Sequence, residues 1–179
     1  MKKFVFPFGW CLFGLSLWGS ALAQVQVQRA TDFAADGAKA RDRGLVILLM
    51  VSQEHCGWCD LLKREQLLPM LKSGRYQERV LIRELRIDPG EQVQDFSGQS
   101  LAGARFASRY GVYVTPTLLF FGPDGRELSR RIVGINTPEL FGWYLDQAID
   151  EALQALSKPP VTEPALPTIS GNGAAIFNH

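Results

Sequence analysis

The residues of this chain best suited to chemistry are Cys56 and Cys59, two thiols separated by Gly57 and Trp58. They stand where an apolar run gives way to a helical pattern. A thiol at the start of a helix faces unpaired backbone N–H groups and the positive end of the helix dipole. Both favour the thiolate, which is the nucleophile of sulfur chemistry. Two intervening residues let the second sulfur reach the first, so a mixed disulfide on Cys56 can be resolved by Cys59 within one molecule. The spacing points to a redox pair, with Cys56 as nucleophile and Cys59 as resolving thiol.

The neighbours suggest how such a pair would be tuned. His55 could lend positive charge to the Cys56 thiolate or shuttle a proton, although a half-exposed loop residue would read the same way. Trp58 offers an apolar contact surface beside the sulfurs. The competing roles for the pair are an inert clip, for which so small a loop is a poor stabiliser, and half of a metal site. A closed zinc site lacks ligands, because there is no second C-x-x-C and the histidines are only His55 and His179. Two thiolates could instead carry copper. Haem attachment is excluded, since Asp60 follows Cys59 where histidine is required. No metal or other cofactor is assigned.

The elements that must position the pair follow from periodicity. Leu45 to Val51 is an unbroken apolar run, too short to cross a membrane, and reads as a buried strand over 45–52. Leu61, Leu62, Glu65 and Leu68 continue from the cysteines at helical spacing, with Pro69 predicted to kink or end that helix and Met70-Leu71-Lys72 able to add a further turn before Ser73-Gly74. Before them, Gln24–Gln28 alternates like an edge strand, and Thr31-Asp32 caps a helix to about Arg43, stopped by Gly44. After them, Val80 to Ile87 reads as a strand whose alternation is interrupted by Glu84. Residues 91–98 look like loop, and Ser100 caps a helix over 101–110. Thr117–Phe121 and Glu127–Val133 form a hairpin around Gly122-Pro123-Asp124-Gly125. Thr137-Pro138-Glu139 opens a last amphipathic helix to about Leu156. This order implies an α/β fold, a mixed sheet flanked by helices, with reactive groups past the strand carboxyl ends.

The ends read differently. Lys2-Lys3, the apolar stretch Phe4–Leu17 and Ala21-Leu22-Ala23 have the order of a secretory signal peptide cleaved after Ala23. The expected organisation is a signal peptide over 1–23, one domain over 24–156 and a Pro/Gly-rich tail over 157–179. Cys11 would leave with the signal. Loss of Lys2 and Lys3 from 19 basic and 18 acidic residues leaves a formal charge of −1. That balance offers no electrostatic case for nucleic acid. With the signal removed, no stable membrane insertion is expected.

At this point the residues resemble the thioredoxin superfamily, over about residues 30–156. The likeness rests on the apolar strand leading into Cys56-Gly57-Trp58-Cys59 and on Val114-Thr115-Pro116-Thr117 before a later strand. The hairpin ending at Gly134 and the terminal helix are also in family order. The resemblance implies a thioredoxin-like fold with Pro116 cis and facing the cysteines. From composition alone, Pro116 would be an ordinary trans proline opening a strand. With a cis bond, Thr115 would present backbone groups to an extended substrate. The chain is similar to exported bacterial members, including the periplasmic type found beside sulfur-oxidation genes.

Gly57-Trp58 lacks the histidine of strongly oxidising members. Glycine-aromatic and Thr115 resemble the disulfide isomerases, whose separate dimerisation domain is missing here. The family's buried acid corresponds to Met50, leaving Glu54 or water to accept the resolving thiol's proton. The resemblance therefore implies a periplasmic thiol–disulfide oxidoreductase, reducing protein or small-molecule disulfides and recharged by a membrane electron carrier. Its binding residues would be Gly57, Trp58, Thr115 and Pro116, with His55 and Glu54 tuning the thiols. A copper-carrying chaperone and a non-catalytic peptide-binding module are the alternatives.

Overall fold

A strand without polar alternation is stable only when both faces are covered, and the run before the cysteines is such a strand. The computed structural model describes residues 25–158. The segment read as a signal peptide, residues 1–23, and residues 159–179 of the expected tail lie outside the described residues. Five strands form the main sheet: β1 (Gln28–Arg29), β2 (Val46–Ser52), β3 (Val80–Arg86), β6 (Thr117–Phe121) and β7 (Ile132–Val133). Their order is β1-β3-β2-β6-β7. β1, β3 and β2 run parallel, whereas β6 is antiparallel to β2 and β7 to β6. The apolar strand β2 is central and buried along its whole length.

Alternation along β2 divides the core in two. Val46, Leu48 and Met50 face one cluster, which takes in Leu62, Leu67 and Met70 from the cysteine helix and Phe141, Leu145 and Ile149 from the last helix. Ile47, Leu49 and Val51 face the other, with Phe33 and Ala40 of α1 (Phe33–Arg43) and Phe106 and Ala107 of α4 (Gly103–Arg109). Helix α1 starts where Asp32 accepts from the Ala35 N–H at 2.9 Å and ends at Gly44, whose φ of 65° is left-handed. On this second face Phe33 stacks against both Phe96 and Phe106.

The cysteine helix is α2 (Gly57–Leu62), a π-helical turn (Lys63–Leu67) and α3 (Leu68–Ser73) in succession. Pro69 therefore does not end it. Proline has no N–H and its ring crowds the carbonyl four residues back; the wider turn just upstream, where the Leu68 N–H donates to the Lys63 carbonyl, makes room. The last helix is also composite, a 3₁₀ turn over Pro138–Leu140 followed by α5 (Phe141–Ser157), without a side-chain cap from Thr137.

Three further expectations are corrected. The first strand is Gln28–Arg29, because parallel pairing with β3 covers only Arg83 and Glu84. Strand structure in the second hairpin arm is confined to Ile132–Val133, with Glu127 making a single bridge to Phe121. The stretch read as loop and the start of the predicted helix hold a small hairpin, β4 (Gln92–Gln94) and β5 (Ser100–Ala102). Ser100 thus belongs to a strand, and α4 begins after Ala102 without a side-chain cap. Each of these strands buries one apolar residue, Val93 or Leu101, between polar or small neighbours, too short a pattern for periodicity to register.

Asp95 holds the turn of that hairpin. Its carboxylate accepts from the Ser97 hydroxyl at 2.6 Å, the Ser97 and Gln99 N–H groups at 2.9 Å and Arg109 at 2.8 Å. The Ser97 hydroxyl foremost, opposed by desolvation and helped by those N–H groups and Arg109, holds its pKa down at about 2. A depressed carboxylate stabilises the fold above its unfolded pKa and ceases to do so as pH falls through the folded one. Wild type should therefore lose more stability to urea than Asp95→Asn between about pH 5 and about pH 2. Equal losses would show that this carboxylate is not linked to folding.

Candidate redox site

The site is assembled where β2 ends. The Ser52 carbonyl accepts the Ile87 N–H at 3.0 Å, keeping β2 beside the end of β3. The Glu54 N–H donates to Asp88 at 2.8 Å and the Glu54 carboxylate pairs with Arg86 at 2.6 Å. His55 then takes a φ of 56°, a left-handed conformation uncommon outside glycine. This turn delivers Cys56, in extended conformation, to the N-cap of α2.

As the cap, the Cys56 sulfur accepts the Cys59 N–H at 3.2 Å, and its carbonyl accepts the Cys59 and Asp60 N–H groups at 3.0 and 3.1 Å. Donors aimed at the sulfur favour its ionised form once the pair is reduced. The two cysteines are joined as a disulfide, with Cα atoms 5.2 Å apart. Cys56 is half-buried, while Cys59 is only 1% exposed. An incoming sulfur can meet the first and not the second.

The opposite wall comes from the loop before β6. The Thr115–Pro116 peptide bond is cis, and the Thr115 hydroxyl lies 3.7 Å from the Cys56 sulfur. The Pro116 carbonyl accepts the Gly134 N–H at 2.8 Å, and the Thr117 hydroxyl donates to the Val114 carbonyl at 2.7 Å. Between these ties, the Thr115 N–H and carbonyl have no backbone partner among the described residues. Trp58 and Val114 are exposed around the sulfur, and Tyr113 is 80% exposed. The result is an apolar rim, the unpaired backbone N–H and carbonyl of Thr115, and one accessible sulfur.

Two sequence-derived candidates are placed less directly. His55 is exposed, and its ring makes no hydrogen bond among the described residues. Glu54 has its carboxylate committed to Arg86 on the surface side of the turn. Met50 is fully buried, and the residue beside it on the neighbouring strand is Glu84. That carboxylate is itself buried, accepting from the Ser52 hydroxyl at 2.6 Å and from Lys63 at 3.1 Å. Sequence reasoning did not single out Ser52, Lys63 or Glu84. The available signal was the acid that interrupts the alternation of Val80 and Ile82.

The family model described as thioredoxin-like domain matches residues 33–149, so the chain belongs to that family. No curated protein matches significantly. Among solved structures, thioredoxin O2 from Arabidopsis thaliana in its oxidized state is 22% identical, with a TM-score of 0.46 over 69% of this chain and 95% of that one. Thioredoxin from Fasciola hepatica is 19% identical, with a TM-score of 0.45 over 70% of this chain and 99% of that one. With a bonded C-x-x-C pair in a thioredoxin-like domain, the protein is a thiol–disulfide oxidoreductase.

Proposed function

We propose that this protein is a periplasmic reductant of disulfides, exported by residues 1–23 and acting on proteins or small molecules. The observation that carries the reading is the half-buried Cys56 sulfur, capped by the Cys59 N–H and flanked by Thr115. In the reduced state the Cys56 thiolate attacks one sulfur of a substrate disulfide, and the other sulfur leaves as a thiolate. Cys59 then attacks the Cys56 sulfur, releasing the second substrate thiol. The substrate gains two electrons and the protein is left with the Cys56–Cys59 bond. A membrane electron carrier would restore the dithiol, because an oxidising compartment does not.

Direction depends on how strongly the thiolate is stabilised, and Gly57-Trp58 supplies no charge to stabilise it further. The domain without residues 1–23 should reduce insulin in the presence of dithiothreitol, with a pair potential nearer about −270 mV than about −120 mV. A value at the upper end would make the protein an oxidant. Tight Cu(I) binding without insulin reduction would favour the copper chaperone, and neither activity the peptide-binding module.

A further inference from the structure

The reduction cycle leaves one requirement unassigned. Cys59 is sealed from solvent, so the proton it sheds before attacking Cys56 needs an acceptor inside the protein. The thiolate, and not the thiol, performs the attack. Met50, buried in the same core as Leu62 of the cysteine helix, cannot take a proton.

Glu84 is a buried carboxylate among apolar neighbours, on the same face of β3 as Val80 and Ile82, which pack into the core beneath the cysteine helix. It is held from two sides: Ser52, four residues before Cys56, donates from the end of β2, and Lys63 donates from the cysteine helix. Lys63 follows Cys59 by four residues, a spacing that places the two on one helical face. Leu62 beside it faces the sheet within the same core. Lys63 also reaches Asp60 at 3.3 Å. Side-chain exposure rises along this chain of charges, from 9% at Glu84 to 29% at Lys63 and 68% at Asp60.

Stability does not account for such a group, because apolar replacements of buried ion pairs are often neutral or favourable. We propose that Glu84 receives the Cys59 proton during the resolving step, and that Lys63 and Asp60 connect it to solvent. The proton passes from the Cys59 thiol to the Glu84 carboxylate as the Cys59–Cys56 bond forms and the Cys56–substrate bond breaks. The departing substrate sulfur keeps that bond's electron pair and takes a proton from solvent, while Glu84 returns its own outward. The acid thus comes from β3 and its lysine from the helix. Lys63, desolvated yet held by Glu84 and then Asp60, has its pKa raised and stays an ammonium ion. This assignment rests on the reductant reading.

The test separates the two sulfur-transfer steps in single turnovers of the reduced protein with insulin, quenched by acid and followed by mass spectrometry. Glu84→Gln should form the mixed disulfide at the wild-type rate and release it about a hundredfold more slowly, within the range of general base catalysis. The adduct should therefore accumulate. Lys63→Met, at a half-exposed position, should slow release in the same direction, and Glu84→Asp should recover part of the rate. Release at the wild-type rate in Glu84→Gln, or equal slowing of both steps, would overturn the assignment. If Glu84→Gln does not fold, release by Lys63→Met decides: slowed supports the relay, unchanged overturns it. Failure of the wild-type protein to reduce insulin would instead remove the reductant reading itself.

Discussion

Cys56→Ser should bring disulfide reduction down to the rate of the uncatalysed exchange, while Cys59→Ser should stop the cycle one step later. The difference follows from exposure and from the cap. Cys56 is the sulfur that a substrate can reach, and it is the one receiving the Cys59 N–H. A serine hydroxyl in its place is not ionised at neutral pH and has no comparable reactivity toward sulfur. Cys59 lies below the surface and acts on Cys56 alone. Its replacement leaves the first attack intact and removes the group that releases the product. Turnover of insulin checks the first variant. A covalent adduct on Cys59→Ser, dispersed by dithiothreitol, checks the second. Retained turnover by Cys56→Ser, or adducts trapped on Cys59 instead of Cys56, would reverse the roles.

The second large effect concerns stability. Asp36→Ala should destabilise the fold by about 3–5 kcal/mol, the range for removing one partner of a buried ion pair. Asp36 on α1 accepts two hydrogen bonds from Arg83 Nε, at 2.8 and 3.0 Å, and one from Nη2 at 2.6 Å. Arg83 comes from β3, so the pair fastens the first helix to the sheet on the face opposite the cysteine helix. Without Asp36 the guanidinium keeps only the Ile82 carbonyl, accepting from Nη1 at 3.0 Å, as a partner. The charge would then be buried and uncompensated. The double variant Asp36→Leu/Arg83→Met should recover most of the loss, because no charge remains to be desolvated. Urea unfolding of the three proteins measures this. A single-variant loss below about 1 kcal/mol would place the pair in effectively solvated surroundings.

Much of the molecule was legible before its fold was known. Val46–Ser52 could only be a covered strand, because apolar residues on both faces exclude a solvated edge. Asp32 and Gly44 bound α1 through capping chemistry that acts within three or four residues. The hairpin of Gln92–Gln94 and Ser100–Ala102 was not legible, since each strand carries one core residue and draws its stability from packing beside α1 and α4. In the sequence Pro69 reads as kinking or ending the helix, with a further turn over 70–72 before Ser73-Gly74, and the structure has that further turn behind a π-helical one. The proline's local preference is to break a helix, yet Leu67 and Met70 on either side are held in the core and the chain bends its hydrogen-bond pattern instead.

The sequence by itself determined the reacting pair, because two thiols three positions apart at a helix start interact through purely local geometry. It determined the helices and the long strands for the same reason, since their periods repeat within a few residues. Local spacing does not record that Thr115 stands beside a sulfur 59 positions earlier; the family resemblance implied that facing, and the tertiary structure shows it. The tertiary structure alone decided that Glu84, 32 positions from Ser52 and 21 from Lys63, is gathered with them under the cysteine helix. Strand order and register set those meetings, and they depend on how whole faces pack against one another, which no local spacing records.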